Sequence, residues 1–232
     1  MKYLGLIVAR SGSKGIIGKN LIDLNGKPLI QYTIEYAINA LGIDCVDLSS
    51  DDDAIIELAL RMGIKIHYKR PANLATDEAN IIDVINFHLD WLTQNGEEFP
   101  NNIILFQPTS PIRKNSLVFD CVQKYEQSNS NSLIAVSESR QHPYEMFSFD
   151  KNKLEFISNI SARRQDYPKY YFVTGSLYIT SVEFIKKYNK LFNEDSSIFI
   201  VSDYEAIDID DEFDLEIARN IIKKYGSNSA FD

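Results

Sequence analysis

Tyr3-Leu-Gly-Leu-Ile-Val-Ala9 runs directly into Arg10-Ser-Gly-Ser-Lys-Gly-Ile-Ile-Gly-Lys-Asn20. The first run is apolar except for one glycine and shows no alternation, so it predicts a strand buried on both faces of a parallel sheet. The second run is a Gly/Ser/Lys loop at that strand's carboxyl end. Working outward, the same rhythm repeats. Pro28 opens an apolar-periodic stretch to Ala40, as proline does in a first helical turn. Residues 43–48 predict a second strand, and the polar turn 49–53 can cap a helix over 54–62. Residues 64–68 predict a third strand, 69–74 a loop, and Asp77 a cap for a long helix ending near Thr93. Residues 103–106 predict another strand. The Pro-rich loop 107–113 then leads to a helix ending near Tyr125, and 133–136 predict the next strand. Strands alternating with helices predict an α/β fold: a Rossmann-like, three-layer arrangement with a mostly parallel sheet. Ligands in such folds bind outside the carboxyl ends of the strands, where these loops would gather.

The rhythm fails between about residues 137 and 170, which are rich in Ser, Asn, Arg and aromatics without a 3.6 period. This stretch predicts an inserted lobe within a single domain spanning 1–232. Strand character resumes at 170–180 and 198–201, and 211–225 form a final amphipathic helix.

The chain has 232 residues, a formal net charge of −9 and 44% hydrophobic content. An acidic chain is not expected to bind polyanions at large, so neither nucleic acid nor an anionic membrane is an expected partner. Cys45 and Cys121 are far apart and form no CxxC, which excludes a disulfide scaffold and a Cys-rich zinc site. The opening apolar run is too short for a signal peptide or a membrane span. These features predict a cytoplasmic protein.

The charge is segregated. Residues 1–22 carry Lys2, Arg10, Lys14 and Lys19 and no acid, whereas 203–216 carry Asp203, Glu205, Asp208, Asp210, Asp211, Glu212, Asp214 and Glu216 and no base. In the basic loop, Gly12, Gly15 and Gly18 would let the backbone turn its amides inward as an anion-binding nest, with Arg10, Lys14 and Lys19 adding charge. The bland alternative is a flexible loop with solvated charges. A Walker A loop is excluded, because Asn20 follows Gly18-Lys19 and Ser13 stands where its first glycine belongs. Glycines three apart do not make the GxGxxG fingerprint.

In the acidic segment, Asp208-Ile-Asp210 alternates. Period 2 puts both carboxylates on one face and Ile209 toward the core. Such a pair suits Mg²⁺, which takes one or two protein carboxylates and fills its shell with water and phosphate oxygens. An EF-hand is excluded by Phe213 and Arg219 at the positions needing Gly and Glu. Helix capping accounts for Asp211 and Glu212 but does not require Asp208. A phosphate loop with a carboxylate pair is the minimal equipment for metal-assisted nucleotidyl or phosphoryl transfer.

Several motifs in order then carry a resemblance. They are Val8 to Leu21, Arg70-Pro71 with Leu74-Ala-Thr-Asp77, Gln107-Pro-Thr-Ser-Pro-Ile-Arg113, Arg164-Gln165 and Ala206-Ile-Asp-Ile-Asp210. Together they resemble the CMP–sialic acid synthetases (CTP:acylneuraminate cytidylyltransferases) over nearly the whole chain. The resemblance implies a nucleotidyltransferase that joins CTP and a nonulosonic acid into a CMP-sugar with release of pyrophosphate. N-acylneuraminate is the first expectation, and legionaminic or pseudaminic acid the alternative. It implies Arg10, Lys19 and Asp208 as catalytic groups, with Asp208 and Asp210 as Mg²⁺ ligands. Ser11, Ser13 and Asn20 would line the nucleotide loop. Arg70 and the turn from Asp77 to Asn80 would flank the cytidine. Gln107 would contact the sugar acid. The stretch 137–170 would be a dimerisation lobe whose Arg164 reaches the partner's site in a homodimer.

Two departures are visible. His142-Pro-Tyr-Glu145 ends in an acid where the sialic acid enzymes often carry lysine, and Thr174-Gly-Ser176 replaces Asn-Gly-Ala. Both bear on the identity of the sugar. His67, His88 and His142 read as structural, both cysteines as packing residues, and Trp91 with the other aromatics as core or lobe packing. A 3-deoxy-manno-octulosonate cytidylyltransferase and a non-catalytic nucleotide-binding module are the remaining alternatives.

Overall fold

In the computed structural model, residues 1–150, 153–157 and 163–227 are described. Strand β1 (Tyr3–Ala9) forms where its unbroken apolar run predicts, and it lies inside the sheet with neighbours on both sides. A two-residue ribbon, β2 (Asp23–Leu24) and β3 (Lys27–Pro28), leads into α1 (Leu29–Asn39). Strand β4 (Cys45–Ser50) follows, then α2 (Asp53–Arg61), whose first amides are capped by the Asp52 carboxylate. After α3 (Ile81–Gln94) come β5 (Asn102–Phe106), α4 (Leu117–Gln127) and β6 (Ser132–Glu138). The lobe carries an antiparallel pair, β7 (Phe147–Asp150) and β8 (Lys153–Phe156). The chain returns along β9 (Tyr171–Ser181), then α5 (Val182–Tyr188), β10 (Ser197–Ile200) and α6 (Glu212–Tyr225).

The main sheet has the order β10-β6-β9-β5-β1-β4. β1 pairs parallel with β4 and β5, and β6 pairs parallel with β10. β9 runs antiparallel to both β5 and β6, because the chain passes from β6 through the lobe and back beside it without a crossover helix. One apolar cluster, with Ile30, Ile34, Leu117 and Val118, packs α1, α2 and α4 on one face. Another, with Ile82, Ile85, Leu89 and Ile185, packs α3 and α5 on the other. The three-layer α/β expectation is met. No helix is long and apolar enough to cross a membrane among the described residues.

Some local expectations need correction. The strand expected at 64–68 is reduced to a single bridge between Asp47 and Lys65, because its polar neighbours turn inward to other partners. Asp77 does not cap α3; Asn80 does, accepting from Ile82 N at 2.9 Å. Cys45 is exposed, whereas Cys121 is buried in the core as expected.

Candidate active site

The loops after β1 and β5 and the connection from α2 to α3 meet the segment before α6 around a cleft of about 360 Å³. The strand order explains the place: the chain passes from β1 to β4 on one side and then crosses back to β5 on the other, so a crevice opens at the carboxyl end of β1. Arg10, Ser13, Lys19 and Asn20 line the cleft from the first loop, and Arg70 and Asp77 line it from the second wall. Gln107, Asp208 and Asp210 complete it.

The basic loop and the acidic segment are one structure. Ile16 is buried in a third apolar cluster with Ile209, Leu215 and Tyr32, which joins the loop to α6 and α1. At Gly15 the two backbones touch: a Cβ there would lie 2.0 Å from the Asp210 carbonyl oxygen. The Lys19 ammonium is 2.9 Å from Asp210 Oδ1. Only Gly18 of the three loop glycines has a positive φ, 64°. The positive φ expected at all three glycines is thus found at Gly18 alone, while Gly15 is required for close approach. Asn20 Nδ2 donates to the Arg10 carbonyl at 2.9 Å and braces the loop from within. Ser11 turns away from the cleft, its backbone N–H and hydroxyl both donating to Asp51.

Ile209 is fully buried and its neighbours face the cleft, as period 2 requires. Asp208 opens into the cleft, yet protein crowds it on its other sides. This desolvation pushes its carboxyl above the usual range, and the Asp210 charge adds to the rise. A hydrogen bond with Thr109 and the Lys19 charge oppose it. Asp211 and Asp214 form a capping box at the start of α6, so they serve the helix. Among the described residues no three His, Cys, Asp or Glu side chains gather as a cation cage. Two neighbouring carboxylates, of which Asp208 is raised by burial and by the charge of Asp210, fit Mg²⁺, because that ion needs only one or two protein ligands.

On the opposite wall, Arg10 Nη1 contacts Asp77 Oδ1 at 2.5 Å and Lys14 Nζ lies 3.6 Å from Asp77 Oδ2. The hydrogen bond from Arg10 holds the Asp77 carboxyl below its usual range. Arg70 is buried and is held by Ser49, through its hydroxyl and carbonyl. Burial lowers its guanidinium, and the Asp51 charge works the other way. Asn80 spends its side-chain oxygen on α3 and is not part of the cleft lining.

Gln107 has a support that residue spacing did not reveal. The pairing of β9 with β6 shifts register between Ile134 and Val136, so residues 174–177 bulge. Gly175 sits in that bulge, and a Cβ on it would lie 2.5 Å from Gln107 Oε1 and 2.6 Å from Ser110 Oγ. Thr174 and Ser176 flank it, their hydroxyls 2.7 Å apart. Beneath lies Arg113, fully buried, donating to the carbonyls of Gln107 and Ser176 at 2.8 Å each and to Thr33 Oγ1 at 3.0 Å. Burial lowers its guanidinium to about 10, which leaves it charged at neutral pH.

Arg164 is not brought to this cleft. It lies exposed in the lobe, 3.9 Å from Glu145, the acid that departs from the lysine pattern. His142 is buried at the lobe's base, with Nε2 2.9 Å from the Pro168 carbonyl and its ring against Tyr167, which agrees with a structural role. Residue patterns missed Asp51, Asp77 as a partner of Arg10, Arg113, and the contacts of His67 and His88 with Asp47. Only Arg113 carried a signal, as the cation ending an otherwise uncharged Pro-rich run.

A family model described as Cytidylyltransferase matches residues 4–199. The chain is 34% identical over 234 residues to the pseudaminic acid cytidylyltransferase of Campylobacter jejuni, with all of both chains covered. It is 30% identical over 216 residues to the N-acylneuraminate cytidylyltransferase of Streptococcus agalactiae, covering 90% of this chain and 51% of that one. The solved structure of a CMP:2-keto-3-deoxy-manno-octonic acid synthetase complexed with CTP matches with a TM-score of 0.72 at 17% identity, over 97% of this chain and 99% of that one. At that identity the likeness bears on the fold alone.

Proposed function

The chain belongs to the cytidylyltransferase family, and we propose that it joins CTP to a nonulosonic acid, releasing pyrophosphate. The observation that carries this reading is the joining of the basic loop to the Asp208–Asp210 segment across one cleft, through Gly15, Ile16 and Lys19. A triphosphate and a sugar carboxylate repel each other, so their meeting needs fixed cations on one side and a bound divalent cation on the other.

Arg10 and Lys19 take the triphosphate and neutralise the pyrophosphate as it leaves. Arg10 must then exchange Asp77 for phosphate. Ser13 lines the loop, while Ser11 and Asn20 hold its shape. Arg70 flanks the nucleoside, with Asn80 acting through the start of α3. Gln107, backed by Gly175, contacts the sugar acid. The anomeric oxygen forms a bond to the α-phosphorus, the bond from that phosphorus to the bridging oxygen breaks, and pyrophosphate leaves with the electron pair. The proton of the anomeric hydroxyl passes to the Asp208 carboxylate. Asp208 and Asp210 would hold Mg²⁺, which supplies charge neutralisation at the phosphates.

Two sugar readings stand. N-acylneuraminate follows from the motif order. Pseudaminic acid, the alternative alongside legionaminic acid that the departures at Glu145, Thr174 and Ser176 raise, is favoured by the full-length match. The lobe side of β9 leaves Tyr170, Tyr171, Phe172 and Val173 each 37–44% exposed in succession. We place the second copy of a homodimer on this surface, with Arg164 acting across it. The reaction is placed in the cytoplasm, where CTP is made.

Pyrophosphate release is expected only with CTP, Mg²⁺ and a nonulosonic acid together, and the product mass identifies the sugar. No release with a panel including N-acetylneuraminic, legionaminic and pseudaminic acids would overturn the reading. Light scattering tests the dimer.

A further inference from the structure

Arg70 is the end of a line of polar groups that leads from the cleft into the core. Its Nε donates to Ser49 Oγ at 3.1 Å, and its Nη2 donates to the Ser49 carbonyl. The Ser49 hydroxyl lies beside Tyr68 and favours the ionised form of its phenol. The Tyr68 hydroxyl is 2.9 Å from His88 Nδ1, and His88 Nε2 is 3.0 Å from Asp47 Oδ2. Ser49, His88 and Asp47 are buried. The β4 strand explains the start of the line: Asp47 and Ser49 are two apart, so they share the face that α3 covers, while Leu48 faces the other layer.

The chemistry of the two ends gives the line a direction. A guanidinium only donates and a carboxylate only accepts. With His88 neutral, Asp47 takes the proton on Nε2, so Nδ1 accepts from Tyr68. The Tyr68 oxygen, having directed its proton to His88, turns its lone pairs to the neighbouring Ser49 hydroxyl, and the Ser49 oxygen accepts from Arg70. Every link then has one donor and one acceptor. His67 Nε2 makes a second contact with Asp47 Oδ2, at 3.0 Å, and fixes that carboxylate from the other side.

Arg70 needs such a support. Among the described residues no carboxylate forms a salt bridge with it, and an arginine side chain has many rotamers to lose. We propose that Tyr68 and His88 are positioning residues that, through Ser49, hold the Arg70 guanidinium in one orientation at the cleft and so set the affinity for the nucleotide without touching it. The inference rests on the reading that this cleft takes CTP.

Tyr68→Phe removes one oxygen and keeps the ring against Phe87 and Trp91. It is expected to raise the KM and the calorimetric Kd for CTP about 5–10-fold, with kcat within about twofold, the size of one lost buried hydrogen bond. His88→Leu is expected to do the same. His88→Gln keeps one donor and one acceptor and is expected to return KM to within about threefold of the unaltered chain. Leu89→Ala, on the same helix and buried among apolar residues, serves as a control matched by its loss of Tm, and it is expected to leave the CTP KM unchanged. An unchanged KM in Tyr68→Phe overturns the inference, as does a rise of equal size in Leu89→Ala. So does a His88→Gln no better than His88→Leu. Failure of the unaltered chain to bind CTP overturns the underlying reading and this inference with it. Unchanged binding by the variants of a chain that does bind CTP overturns the inference alone.

Discussion

The mouth and the floor of the cleft both hold cations, but they hold them differently. At the mouth, Arg10 and Lys19 are paired with Asp77 and Asp210, and their partners are well exposed. At the floor, Arg70 and Arg113 are buried and are held by hydroxyls and backbone carbonyls instead of carboxylates. A pair close to water is worth little to stability and can be exchanged for a ligand. A buried guanidinium cannot move without leaving its acceptors unsatisfied. The mouth is therefore where ligand anions replace resident ones, and the floor is the frame that stays still during the exchange.

The contrast can be broken most sharply between the two regions, at Asp208. Asp208→Asn is expected to lower kcat about 10³-fold in Mg²⁺ while CTP binding is partly retained; turnover within tenfold would remove Asp208 from the proposed chemistry. The same variant carries a pH signature. The folded state raises this carboxyl, so between its unfolded and folded pKa the folded protein binds more protons than the unfolded one. Ionised Asp208 thus costs stability, a cost that appears as pH rises through that window. Asp208→Asn should unfold at a higher temperature than the unaltered chain at pH 7, and the gain should vanish on acidification below the ordinary aspartate range.

Gly15→Ala tests whether the mouth is locked to the acidic segment. The added methyl meets a backbone oxygen, so the loop must shift, and turnover is expected to fall about 100-fold. Steady-state kinetics near those of the unaltered chain would show that the contact is dispensable. Arg113→Met tests the floor. It strips donors from two buried carbonyls and is expected to cost about 3 kcal/mol, read as a Tm lower by roughly 6–12 °C. A Tm change under about 2 °C would refute a rigid floor. The smallest effect is expected at Asp77→Asn. Titration calorimetry should show pyrophosphate and CTP binding a few-fold tighter, since the resident competitor for Arg10 is gone. Weaker binding would mean that Asp77 helps to hold the loop for the nucleotide.

The mouth was largely legible in the residues. Arg10, Ser13, Lys19, Asn20, Asp208 and Asp210 all reach one cleft, and Ile209 is buried as alternation requires. Glycine patterning was read less well. It located the loop, but it could not separate the positive φ at Gly18 from the steric need at Gly15, because the second depends on the backbone of Asp210, just before α6 and far away in the chain. The floor was mostly hidden. Asp47 and Tyr68 belong to segments whose local patterns are those of ordinary strands and His88 to one that reads as an ordinary helix, and only their packing brings the polar atoms together.

The unbroken apolar run of β1, the helices between the strands and the alternation at 208–210 are short-range patterns. Backbone geometry turns them into elements, so the sequence by itself determined an α/β sheet with a basic loop at a strand end and a pair of acids facing one way. Which acid each cation meets was decided only by tertiary structure. So was the bulge that places Gly175 against Gln107, and so was the line that ties Arg70 to Asp47. The physical reason is range. Burial and hydrogen-bond partners join residues from distant strands and helices, and their energies depend on an environment that exists only after the layers have packed.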